Sequence, residues 1–137
     1  MAYRLLDHTA DLGVEVTAAD PGTLFAEAGL ALFSLITTPD ALEKRETRTI
    51  AATGEDFTDL LVNWLRELLH LWNGDQLLVC GLVVDRVQPT AIRGKAAVDR
   101  FDPHRHPMEN EIKAVTYHQA RVETAGGKWS ARFIVDI

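Results

Sequence analysis

A chain of 137 residues with 47% hydrophobic and 25% charged residues has the composition of an ordinary globular protein, and its length favours a single domain over 1–137 that buries roughly two-thirds of its unfolded surface. The 14 basic and 20 acidic residues leave a net charge of −6, the wrong sign for a chain that neutralises many phosphates by itself, so autonomous nucleic-acid binding is not expected. No segment reaches the ~18 apolar residues of a membrane span and no basic-then-apolar leader opens the chain, while Cys80, the only cysteine, excludes an intramolecular disulfide and a multi-cysteine zinc site and suits a reducing, cytoplasmic setting.

Tyr3 to Asp7 reads as a short strand, and Leu12 to Thr17 alternates apolar and polar as a half-buried strand does. A polar turn, Asp7 to Asp11, lies between them. Asp20-Pro21-Gly22-Thr23 is a helix start, with aspartate as cap and proline pre-set for the first turn. The helix runs to about Ile36, with Leu24, Phe25, Ala28, Ala31, Leu32, Leu35 and Ile36 on one stripe. Leu30 and Phe33 fall on the other side, where either a neighbouring loop or a partner covers them. Residues 42–52 are charged and threonine-rich, as an exposed edge strand is, with Lys44, Arg45 and Arg48 on a solvated face.

The second helix carries Phe57, Leu60, Leu61, Trp64, Leu65, Leu68, Leu71 and Trp72 on a broad apolar stripe, with Asp59, Asn63, Arg66, Glu67 and His70 opposite and Asn73-Gly74 as its stop. Each large side chain it buries contributes about 1.5–3 kcal/mol, so this helix anchors the core. The period then changes to that of strands. Gln76 to Val87 is a long apolar strand with a bulge or bend at Gly81, and Pro89 is a turn. Thr90 to Val98 alternates loosely, and a loop with two prolines and two histidines spans Asp99 to Asn110. Ala114 to Glu123 is a strand, Gly126-Gly127 a hairpin turn, and Lys128 to Asp136 a last strand with Trp129, Ala131, Phe133 and Val135 on one face. Two amphipathic helices and about seven strands predict an α+β protein, a two-layer sandwich of mainly antiparallel sheet.

Three sets of residues invite chemistry. Asp11, Asp136 and the carboxylate of Ile137 form a three-oxygen-donor cation site if the two ends of the chain converge, because like charges ~4 Å apart repel by ~4 kcal/mol at an effective dielectric of 20 and recruit a counter-ion. If the ends do not converge, these are caps and solvated ends. All-oxygen donors select hard ions, calcium or magnesium, over zinc. His8, His104, His106 and His118 gather as a zinc site in a second reading, although His104 and His106, two apart in a loop, are not the helical i, i+4 pair of metalloproteases. Lys113, set in Ile112-Lys113-Ala114-Val115, either reaches solvent or serves a local anion. There is no phosphate-binding glycine loop, nucleophile elbow or kinase signature, so an ordinary enzyme has no positive support.

His8-Thr9-Ala10-Asp11-Leu12-Gly13, Leu60-Leu61-Val62-Asn63-Trp64-Leu65, Ile112-Lys113-Ala114-Val115-Thr116-Tyr117-His118 and the closing Ile134-Val135-Asp136-Ile137 together resemble the archease family, in order and spacing, over essentially the whole chain. The resemblance implies a small, non-catalytic α+β protein that assists an RtcB-type RNA ligase in tRNA splicing and RNA repair, promoting ligase guanylylation and multiple turnover. It implies a divalent cation, calcium first, with magnesium or manganese as alternatives, held by Asp11, Asp136 and main-chain oxygens of Ile137, and a functional role for Lys113. The loop Phe101 to Asn110 is richer in His and Pro than the family leads one to expect. Two other functions compete with the ligase activator: a stand-alone metal-dependent phosphoesterase built on the histidines, and a general adaptor for RNA-modifying enzymes such as methyltransferases.

Overall fold

The structure, a computed structural model, describes the backbone of residues 3–7 and the whole of residues 11–137, with the side chain of Tyr3. The turn between Asp7 and Asp11, and with it His8, lies outside the described residues. The elements follow the expected order: β1 (Tyr3–Asp7), β2 (Asp11–Ala18), α1 (Pro21–Ile36), β3 (Glu46–Thr53), α2 (Phe57–Asp75), β4 (Leu77–Gln88), β5 (Ala91–Arg100), β6 (Ala114–Ala125) and β7 (Lys128–Asp136). The strands divide into a four-stranded sheet, β1-β2-β7-β6, and a three-stranded sheet, β3-β5-β4. Every pairing between them is antiparallel, so the α+β class and the pairing sense are as read. Both helices touch strands of both sheets.

Local chemistry explains the elements. Asp20 caps α1 by accepting the Thr23 N–H at 2.8 Å, and Asp56 caps α2 through the Asp59 N–H at 2.8 Å. Trp64, fully buried, donates its indole N–H to the Phe25 carbonyl at 3.0 Å and so joins the helices by a hydrogen bond inside the core. Gly29 permits the close approach here: a Cβ on it would stand 2.4 Å from Leu82 and 2.7 Å from Leu68. Gly126 and Gly127, at φ 58° and 79°, make the two-residue hairpin between β6 and β7.

Four details differ from, or sharpen, the sequence reading. The stop of α2 is not Gly74. The helix continues to Asp75 and ends on Gln76, whose φ of 54° is left-handed. At this end of the helix Trp72 stands edge-on against Phe101 with centroids 5.3 Å apart, and the Gln76 carbonyl accepts the Phe101 N–H at 3.0 Å. Those contacts offset the ~1–2 kcal/mol of a left-handed non-glycine residue. The extra residue of the β4 bulge is Cys80, skipped between the Val79 and Gly81 pairings, and its half-buried Sγ donates to the Ala97 carbonyl at 3.3 Å. Phe33 is buried, and with Leu30 it borders a small apolar hollow of about 150 Å³ walled by Pro39 and Leu42 of the loop after α1 and by Val79 and Cys80 of β4, so the fold itself flanks that side of α1. β5 runs two residues further than expected, to Arg100, which brings Asp99 into the sheet, fully buried.

The loop between β5 and β6 closes the C-terminus of α1. The Asn110 amide donates to the Leu35 carbonyl at 2.8 Å, Glu109 N–H to the Ile36 carbonyl at 2.9 Å, and Thr37 Oγ1 to the Pro107 carbonyl at 2.6 Å. Carbonyls at a helix end lack partners within the helix, and here a segment some seventy positions on in the chain supplies them. The loop then delivers buried Ile112 and exposed Lys113 to the start of β6.

Candidate functional site

β7 is an inner strand, paired with β2 on one side and β6 on the other. Its register sets Asp136 directly opposite Asp11 on β2 and Ala114 on β6. Directly opposed residues of an antiparallel pair have Cβ atoms ~4.5–5.5 Å apart and project from the same face. Leu12, Val14 and Val16 of β2, with Ala131, Phe133 and Val135 of β7, take the core side. Asp11 and Asp136 therefore project from the other face, at one end of the sheet. Asp11 is half-buried and Asp136 exposed, and Ile137, the next residue, is 41% exposed. The main-chain N–H of Lys113 donates to the Asp136 carbonyl at 2.8 Å, which ties the end of the β5–β6 loop to the same spot.

The predicted convergence of the two chain ends is thus a matter of strand register. It has an electrostatic consequence. On the same face, two pairings along, Glu15 stands opposite Arg132 and their side chains form an ion pair at 3.2 Å. Asp11 and Asp136 occupy the same cross-strand relation with two negative charges, an arrangement that is destabilising unless something positive joins it. Among the described residues no three His, Cys, Asp or Glu side chains converge as a metal-holding group. Two carboxylates sharing a face, next to the backbone of Ile137, offer oxygen donors alone, the chemistry that a hard divalent ion fits.

The histidines do not form a second centre among the described residues. His106 is buried. Its Nδ1 accepts the Asp102 N–H at 2.9 Å, so the ring proton sits on Nε2, which faces Asp99 Oδ2 at 3.0 Å. With both nitrogens engaged, His106 is a structural residue rather than a ligand. Its partner Asp99 also accepts the Glu43 N–H at 3.0 Å and lies 3.3 Å from both Arg45 and Arg105. Burial pushes the Asp99 carboxyl up, but the Glu43 N–H and the Arg105 and His106 bonds outweigh it and hold the group below the ordinary aspartate value of 3.8. Arg45, expected on a solvated face, is half-exposed and also reaches this network through Asp99. His118 lies exposed on β6, and His104 uses its main-chain N–H on Asp102.

Lys113 is exposed and lines a groove of about 370 Å³ with Arg66, Leu69, His70, Asn73, Ala114 and Val115. Arg66 joins α2 to β6: Nε donates to the Val115 carbonyl at 3.1 Å, and the guanidinium stacks 4.5 Å from the centre of the Tyr117 ring. The Tyr117 hydroxyl donates to Asp59 at 2.8 Å, which raises its pKa, while the Glu55 N–H and then Tyr117 lower that of Asp59. Reading α2 as one apolar and one solvated face missed this cluster. The signal was present in Arg66, His70 and Asn73, which recur at i, i+4 and i+7 with no acid among them.

Comparison with known proteins finds relatives along essentially the whole chain. The sequence model of the Archease protein family (MTH1598/TM1083) matches residues 3–137. The protein archease of Methanopyrus kandleri is 39% identical over 140 residues, covering 100% of both chains. That of Methanosarcina mazei is 34% identical, covering 98% of this chain and 95% of its own. The solution structure of Methanobacterium thermoautotrophicum protein 1598 superposes with a TM-score of 0.82 at 28% identity, covering 99% of each chain. The crystal structure of an archease from Thermotoga maritima, described there as a possible chaperone, gives a TM-score of 0.65 at 19% identity over 96% of this chain and 94% of that one, a likeness of fold.

Proposed function

Because the chain belongs to the archease family, we propose that it is a single-domain, non-catalytic activator of an RtcB-type RNA ligase in tRNA splicing and RNA repair. In this reading Asp11, Asp136 and the main-chain oxygens of Ile137 hold a divalent cation, calcium first, with magnesium or manganese as alternatives. The cation would add positive charge between the two carboxylates. The charged tip enters the ligase's active-site cleft and helps to organise nucleotide and the histidine to be guanylylated, while Lys113 offsets phosphate charge. A net charge of −6 suits a helper held by a basic partner rather than by RNA. That the Thermotoga maritima relative is described as a possible chaperone also favours a protein partner.

The observation that carries the reading is the register that sets Asp11 opposite Asp136, one residue from Ile137. A cross-strand pair of like charges weakens a sheet, and a cation-dependent role gives it a reason to exist. The test is multiple-turnover ligation by the cognate ligase with the protein and its Asp11→Ala, Asp136→Ala and Lys113→Ala variants. Loss of stimulation in the aspartate variants is expected. Full stimulation by all three would remove these residues from the function.

A further inference from the structure

We infer that the groove between α2 and the start of β6, where Arg66, His70 and Asn73 face Lys113, is a binding site for the phosphoryl group of a nucleotide or an RNA end. The groove holds about 370 Å³ and is lined by Arg66, Leu69, His70, Asn73, Lys113, Ala114 and Val115. Two permanent cations, an imidazole and a side-chain amide converge there with no carboxylate in the lining. That composition stands out in a chain with 20 acidic and 14 basic residues. The depressions to either side are different: one includes Glu67, the other Glu109 and Glu111.

The cationic groups are held in place rather than merely near one another. Arg66 is fixed by its Nε bond to the Val115 carbonyl at 3.1 Å and by stacking on Tyr117. The N–H edge of its guanidinium away from Nε makes no hydrogen bond to a described residue. His70 and Asn73 follow on the same helical stripe, one and two turns on. Lys113 is anchored through its main-chain N–H on the Asp136 carbonyl, so its ammonium extends from a fixed point. A fixed guanidinium with a flexible ammonium, a ring N–H and an amide matches the tetrahedral oxygens of a phosphoryl group better than a planar carboxylate. Leu69, Ala114 and Val115 supply an apolar floor on which a sugar can lie. The choice of nucleotides among phosphoryl compounds rests on the function proposed above; the anion site itself does not.

The test is titration of the 15N-labelled protein, without ligase, followed by amide chemical shifts. Four probes are compared: inorganic phosphate, GTP, a short oligoribonucleotide with a 3′-phosphate, and the same oligonucleotide with a 3′-hydroxyl. Shifts confined to Arg66, Leu69, His70, Asn73 and Lys113 to Val115 are expected, with the 3′-phosphate exceeding the 3′-hydroxyl. Stronger binding of GTP or of the phosphorylated oligonucleotide identifies the natural source. Lys113→Met and His70→Ala, both at exposed positions, should each weaken that binding about tenfold, the loss of one charge-assisted hydrogen bond, with the remaining spectrum intact. No shift at millimolar probe, shifts elsewhere, binding indifferent to both variants, or equal binding of a glutamate-rich peptide would each overturn the inference. Because no ligase is present, such a failure leaves the carboxylate-pair function standing. Conversely, phosphoryl binding together with full ligase stimulation by Asp11→Ala and Asp136→Ala would sink that function alone.

Discussion

Two cross-strand pairs on one face of the four-stranded sheet make an instructive contrast. Glu15 and Arg132 face each other across β2 and β7 and form an ion pair at 3.2 Å. Asp11 and Asp136 face each other across the same strands with the same sign of charge. Backbone geometry is common to both, so the difference lies in the charges of the side chains. The first satisfies itself and adds ~0.2–1 kcal/mol to the sheet. The second sets two carboxylates of like sign opposite each other, and in the function proposed above a divalent cation joins them. Asp99 supplies a third kind of carboxylate, fully buried and completed within the fold by the Glu43 N–H, Arg45, Arg105 and His106.

The contrast can be broken most forcefully at the carboxylate pair. Asp136→Ala should lower stimulation of multiple-turnover ligation at least about tenfold, as loss of a metal-supporting group commonly does, while Arg132→Gln, on the same strand and face, should leave it within about twofold. Equal losses from the two would erase the distinction.

Asp99→Asn should have the largest effect on stability. It leaves Arg105 and Arg45 without the buried anion they surround, and breaking a buried pair costs about 3–5 kcal/mol, read as a fall in Tm of roughly 6–20 °C at this chain length. The sign of the pH dependence follows from the depressed Asp99 value. The stability contributed by this carboxylate is complete above the ordinary aspartate value of 3.8 and is lost as pH falls through the lower, folded-state value. Unfolding followed between pH 6 and pH 2 should therefore show a steep acid limb in the parent that Asp99→Asn flattens. An identical limb in both would take Asp99 out of the account.

The smallest effects sharpen the comparison. Without divalent ions, Asp136→Asn should stabilise the protein by up to ~1 kcal/mol because it removes a like-charge repulsion, whereas Glu15→Gln should destabilise it by a similar amount that shrinks in high salt. Chemical denaturation of both variants in chelator checks the signs.

Much of this fold is legible in the chain. The Leu and Trp spacing of α2, the Asp20-Pro21 start of α1, the charged edge strand β3 and the Gly126-Gly127 hairpin are local patterns, each settled by residues within a few positions. Asp11, Asp136 and Lys113 are nameable from sequence, through motif likeness. Their juxtaposition is not, because β2 and β7 lie more than a hundred positions apart and local periodicity says nothing about which distant residues pair. The same gap hid the loop that closes α1, since Asn110 and Glu109 bond carbonyls at Leu35 and Ile36. It also hid the burial of Asp99, whose partners come from either side of it in the chain, and the true end of α2, where the Trp72–Phe101 contact overrides a glycine stop.

The central claim is that the Asp11–Asp136 pair takes up a divalent cation, and thermal unfolding of chelator-treated protein with added calcium, magnesium or manganese tests it most directly. A ligand at about a hundred times its dissociation constant stabilises the native state by ~2.7 kcal/mol. The account predicts that one of these ions raises the Tm of the parent and leaves Asp136→Asn and Asp11→Asn unmoved, reversing the order of stability seen in chelator. A parent protein indifferent to all three ions, or variants that respond as fully as the parent, would contradict it.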